Sequence, residues 1–146
     1  MEQDQEVIEG IRLIRVIDGD TLRILVPGAE VCGVQNYNAL SCRLFGVDAP
    51  EKSTEAGKQV TKITQRLFPH WEIGTLTIIN NSDKYAGRLD GKLLVKGTDL
   101  STFLLEHQLV KPYEGGTRSW TMEELREIEE KAKLMLSQVS YVDPYW

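Results

Sequence analysis

In the stretch RVIDGDTLRI, residues 15–24, two aspartates flank a glycine inside an otherwise β-branched and apolar run. Carboxylates two apart on extended chain point to the same side. Asp18 and Asp20 therefore repel unless water screens them or a cation sits between them. A turn with solvated aspartates explains the pair alone. A metal site explains it if other segments bring further oxygen donors, and CRLFGVDAPE, residues 42–51, offers them. Arg43 and Asp48 bracket an apolar strand stretch there, and Glu51 follows Pro50. Asp48 adds a third carboxylate at a strand end, where the proline has no N–H for a ladder and leaves carbonyls free. Hard cations such as Ca²⁺ take carboxylate, carbonyl and water oxygens. Glu51 is spaced to stand beside such an ion. SDKYAGRLDGK, residues 82–92, then presents Lys84, Tyr85 and Arg88 on a loop entering a strand. Arginine suits planar, bidentate phosphate contacts.

Each piece has a plain structural reading: a turn, an internal ion pair, ordinary surface bases. Together they match the needs of phosphodiester hydrolysis. An attacking water can be activated by a carboxylate. Negative charge building on the phosphoryl oxygens can be met by a divalent cation and two guanidinium groups.

The elements that must position these groups follow from the pattern. Two strands from Gly10 to Val26 are expected to meet at Asp18-Gly19-Asp20, the second broken by Pro27-Gly28. Residues 27–40 give no clear pattern. A third strand spans about Ser41–Val47 and ends at Asp48-Ala49-Pro50. Ser53 or Thr54 caps a helix to about Phe68, with Ala56, Val60, Ile63 and Leu67 on one face. Trp71–Ile79 reads as a fourth strand, followed by the polar loop 80–83, and Arg88–Val95 as a fifth. Thr98 or Asp99 starts a short helix carrying Leu100, Phe103 and Leu104. A loop follows at Pro112 and Glu114-Gly115-Gly116. Thr121-x-x-Glu124 is a capping box opening a helix with Met122, Leu125, Ile128, Ala132 and Met135 on its buried stripe. The order β-β-β-α-β-β-α-α fits a mainly-β α+β domain, a small five-stranded barrel of the oligonucleotide-binding type with three helices. A different five-strand α+β fold is the alternative.

The 146-residue chain suits one domain at 10–138, between an acidic segment 1–9 and an aromatic tail 139–146. Composition, 41% apolar and 27% charged, is that of an ordinary globule. No apolar run reaches membrane-spanning length, so no membrane partner is expected. The opening MEQDQEVIEG lacks the basic and apolar regions of a signal peptide. Cys32 and Cys42 match no metal or redox spacing. Both features favour the cytoplasm, with secretion after signal removal as the alternative. A net charge of −5 argues against nucleic acid, which wants a basic surface. That acidity is terminal: residues 1–9 hold four acids and no base, and residues 121–146 hold six acids against three bases. The segment between has a small basic excess.

DGDT, RLFGVDAPE, DKYAGR, LSTFLLEHQLVKPY and EIEEKAK, in this order from about Ile14 to Leu136, resemble the staphylococcal nuclease (thermonuclease) family. The resemblance implies that family's barrel with three helices and a Ca²⁺-dependent nuclease. Such an enzyme cleaves DNA and RNA with little sequence preference and favours single-stranded or frayed substrate. A monomer is implied. Asp20 and Asp48 then correspond to direct Ca²⁺ ligands, the main-chain carbonyl of Ala49 to another, and Asp18 to an outer-shell acid. Glu51 corresponds to the residue that activates or orients the attacking water. Arg43 and Arg88 correspond to the two phosphate-clamping arginines. Lys84, Tyr85 and Tyr113 correspond to the groups holding the nucleotide's terminal phosphate and base. Three departures stand out. YAGR has one residue more between tyrosine and arginine than the family's commonest pattern. On a regular strand that swings Arg88 to the other face, and a bulge at Gly87 would restore it. The connection from Pro27 to Leu40 is long. The acidic balance implies weaker binding of long DNA and a flatter salt dependence. A non-catalytic binding module of the same fold is the second functional reading.

Overall fold

The computed structural model describes residues 5–80, 87–113, 115–116 and 119–138. Its strands are β1 (Glu6–Asp18), β2 (Thr21–Val31), β3 (Val34–Leu44), β4 (Val47–Asp48), β5 (Gly74–Asn80), β6 (Arg88–Val95), β7 (Thr98–Asp99) and β8 (Lys111–Pro112). Its helices are α1 (Glu55–Leu67), α2 (Leu100–Glu106) and α3 (Met122–Gln138). The fold is α+β and mainly β. Neighbours run β3-β2-β1-β5-β6-β7, all antiparallel, and β3 also pairs in parallel with β6. The sheet thus returns on itself as a ring. β1 makes this possible by changing partners midway: Glu6–Ile11 pair with β5, and Arg12–Asp18 pair with β2. Residues 6–9, read from sequence as part of an acidic tail, are therefore strand.

Alternating apolar positions turn Ile11, Leu13, Leu22, Ile24, Leu76 and Leu93 inward. Helix α1 covers this interior with Ala56, Val60, Ile63 and Leu67, as its periodicity predicts. Thr54 caps it, accepting from the Gly57 N–H at 3.0 Å. Asp99 caps α2 through the Thr102 N–H. The Thr121/Glu124 box forms with both reciprocal bonds, at 2.8 and 3.0 Å. In α3, Ile128 and Ala132 are buried, while Met122 is 75% exposed and leaves the expected stripe. Among the described residues no helix is long and apolar enough to cross a membrane.

Several expectations are corrected. β2 does not stop at Pro27-Gly28 but runs to Val31 and turns at Cys32-Gly33 into β3. β1 has left β2 by this point, since their pairing ends at Arg12↔Leu25. Pro27 therefore sits beside an open edge, where its missing N–H costs no ladder bond. Residues 28–39 form an exposed two-stranded arm. Trp71 and Ile73 precede β5, which begins only at Gly74. Val47–Asp48 is a strand of its own, paired with Lys111–Pro112, although the pattern reads Pro112 as loop.

The two thiols differ sharply. Cys42 is fully buried, and burial, helped by the charge of Asp90, pushes its thiol up to about 12; Cys32 is exposed at the arm's tip. A thiol reagent at pH 8 should label one cysteine per native chain and two after unfolding. Rapid native labelling of both would contradict this core.

Candidate active site

The β1–β2 hairpin closes at Asp18↔Thr21 through Gly19-Asp20. The glycine is there because α1 presses on the turn. A Cβ at position 19 would lie 2.6 Å from Val60 Cγ1 and 3.1 Å from Ala49 Cβ. The Thr64 hydroxyl on the same helix donates to the Gly19 carbonyl at 2.8 Å. Packing on the helix thus sets where the two aspartates emerge.

Asp20 joins three segments. Its Oδ1 accepts from the Thr21 hydroxyl and its Oδ2 from the Ala49 N–H, each at 3.0 Å, while its carbonyl accepts from the Leu44 N–H at 2.8 Å. Asp48 arrives on β4. Arg43, on β3, places Nη2 3.6 Å from Asp20 Oδ2 and 3.8 Å from Asp48 Oδ1, and donates to the Val47 carbonyl. Asp20 and Asp48 are each 5% exposed and Arg43 8%. Two buried carboxylates therefore share one guanidinium.

Glu51 is held by the helix cap. Its carbonyl accepts from both the N–H and the hydroxyl of Thr54. Gly57, in the first turn of α1, lies directly under it, and a Cβ there would run into the Glu51 and Pro50 carbonyls. Gly57→Ala should therefore cost about 1–3 kcal/mol by overpacking and shift the Glu51 segment. A urea unfolding midpoint equal to the parent's would reject this.

Asp18, Asp20, Asp48, Ala49 and Glu51 all line one cavity of about 580 Å³. Four carboxylates line it; among its described lining residues Lys52 is the one cation, and the Arg43 guanidinium pairs with two of the four, Asp20 and Asp48. The crowding is visible in Asp18: burial, then the charge of Asp20, holds its carboxyl above the usual aspartate range, although the Lys52 N–H donates to it. Among the described residues no three His, Cys, Asp or Glu side chains form a metal-holding group on their own. A hard cation here would take Asp20 and Asp48 and complete its shell with main-chain and water oxygens. The buried carboxylate pair fits that donor set.

Behind the ion pair lies a second cavity, about 430 Å³, lined by Arg43, Leu44, Phe45, Asp90, Pro112 and Tyr113 among others. The β4–β8 pairing delivers Tyr113, whose N–H donates to the Gly46 carbonyl at 2.8 Å. The Arg43 guanidinium carbon lies 4.9 Å from its ring centroid, within cation–π range.

Arg88 is exposed at the start of β6 and lines neither cavity. Gly87 precedes the strand at φ +78°, next to residues outside those described, and the irregularity in the β5–β6 pairing falls between Ile78 and Asn80. Register nonetheless puts Arg88 opposite Ser41 and Asp90 opposite Arg43, on the sheet face that Arg43 occupies. Lys84 and Tyr85 lie outside the described residues.

Sequence reasoning missed Trp120 and Leu125, which wall the larger cavity. They flank the capping box at the two positions of a hydrophobic staple, a readable signal. The Lys111 ammonium sits 4.4 Å from the Trp120 ring centroid and bonds Glu124, whose carboxyl is held below the usual range mainly by that bond. Compared with known proteins, the chain matches no family model and no curated protein.

Proposed function

We propose that this chain is a Ca²⁺-dependent nuclease of the staphylococcal-nuclease type, with the strand ring acting as a five-stranded oligonucleotide-binding barrel. The observation that carries the reading is the junction of Asp20, Asp48 and Arg43 at the wall between two cavities, with Asp18 and Glu51 on one side and Tyr113 on the other. Closure of the ring by the β3–β6 pairing supports the barrel.

Asp20 and Asp48 would hold the Ca²⁺, with the Ala49 carbonyl and waters, and Asp18 acting at one remove. The bound cation would supply positive charge to the phosphate. Arg43 lies within reach of the same spot and would donate to the phosphoryl oxygens as their charge grows. Arg88 would add a second guanidinium from the same sheet face. Glu51, exposed in the cavity and in no ion pair among the described residues, would orient a water and accept its proton. Tyr113 offers a ring for a base, a sequence-tolerant contact that favours unpaired strands. Lys84 and Tyr85 keep the role that the resemblance gives them, on the terminal phosphate.

The test is a labelled single-stranded oligonucleotide and a plasmid incubated with Ca²⁺, with and without chelator. Chelator-sensitive cleavage of both is expected. Binding without cleavage would replace the nuclease with a binding module.

A further inference from the structure

The register aligns two arginines that the proposed reaction does not use, Arg15 and Arg23, with Arg88, which it does. Arg15 on β1 is opposite Arg23 on β2, Arg23 opposite Ser41 on β3, and Ser41 opposite Arg88 on β6. Directly opposite residues share a face of a sheet. The neighbouring row, Val16, Leu22, Cys42 and Leu89, is buried, so the arginine row faces outward. Like charges set opposite each other destabilise a sheet. Among the described residues no carboxylate pairs with Arg15 or Arg23, and the Arg23 guanidinium instead donates to the Ser41 hydroxyl at 3.2 Å, across the strands toward β6. A chain with net charge −5 thus concentrates guanidinium groups in one band. Four strands wide, the band is about 14 Å long at ~4.8 Å per strand. Two residues further along β2, β3 and β6 comes the row Thr21, Arg43, Asp90, with Asp18 beside Thr21. The band therefore abuts the site.

We propose that this row, Arg15–Arg23–Ser41–Arg88, is a track for the phosphodiester backbone of a nucleic-acid chain extending beyond the cleaved bond. The inference rests on the nuclease reading for its substrate. It accounts for unfavourable like-charge neighbours that packing does not explain.

The experiment uses Arg15→Gln, Arg23→Gln and the double variant, none of them in the proposed reaction centre. Binding of a 20-nucleotide single strand is titrated at several salt concentrations, in chelator and in Ca²⁺. Hydrolysis of that strand is compared with hydrolysis of a small aryl phosphodiester too short to reach the band. The track predicts that the slope of log K against log salt flattens by about 0.7 for each phosphate that a variant no longer neutralises. KM for the long strand rises and the small substrate is unaffected. Thermal stability at low salt holds or rises as repulsion is relieved, whereas a structural role would lower it. An unchanged slope in a double variant that still cleaves would overturn the track and leave the nuclease standing. A parent protein that binds the strand with an arginine-dependent slope but cleaves nothing would keep the track and remove the nuclease. No strand binding at all would remove both.

Discussion

Arg43→Ala is expected to lower phosphodiester turnover about 10²–10³-fold, the usual loss for one donor that stabilises developing charge. It should also unsettle the fold without calcium. Arg43 is the guanidinium shared by two buried carboxylates, and removing one partner of a buried pair costs about 3–5 kcal/mol because the other charge is stranded. Added Ca²⁺ should then restore more stability to the variant than to the parent, since the ion supplies the missing positive charge. Melting curves with and without Ca²⁺ read this directly. Should the alanine variant fail to fold, Arg43→Lys carries the test. It keeps a charge near Asp20 and Asp48 but loses the planar fork. A lysine variant as fast as the parent would limit Arg43 to a structural role.

Asp20→Asn is the second large effect. It retains an acceptor for the Ala49 N–H but removes the charge on one of the two acids that would hold the cation. Calcium affinity should fall at least about tenfold, the scale of loss even for partners once removed from a metal. Unchanged calorimetric titration would exclude Asp20 as a ligand. A pH signature accompanies it. Asp18 is held above 3.8 by burial and then by Asp20. A raised carboxyl takes up protons more readily in the folded chain than in the unfolded one. Its stabilising share is thus complete below about 3.8 and is lost as pH climbs through the raised value. Asparagine at 20 removes one cause, so stability measured without calcium should decline less over that window. An identical decline would break the link between the two acids.

Much of the site is legible in the residues alone. The spacing of DGDT and of RLFGVDAPE named the acids that line one cavity, because a hairpin end and a strand end carry their side chains at short, regular offsets. Ser53 or Thr54, Thr98 or Asp99, and Thr121 announced helix starts through local bonds that need no tertiary partner, and the structure selects Thr54 and Asp99. What stayed hidden depended on pairings far along the chain. Val47–Asp48 becomes a strand only by meeting Lys111–Pro112, and that meeting brings Tyr113 to Arg43. Pro27 reads as a breaker unless one knows that β1 has crossed to β5. Gly19 looks like a turn residue until α1 is laid over it. The arginine row is invisible in one dimension, since its members lie on four strands.

The arm formed by residues 28–39 has a final consequence. The portions of β2 and β3 nearest the acids, Thr21 to Val26 and Leu40 to Leu44, are clamped by neighbouring strands or by the core, whereas their far halves touch little but each other. The same two strands thus have a fixed root and a free shaft. Extra residues, or a grafted peptide, could be accepted at Cys32-Gly33 with no demand on the root, because each added pair extends the ladder outward instead of sliding it. Lengthening or trimming the shaft should leave Asp20 and Arg43 in register.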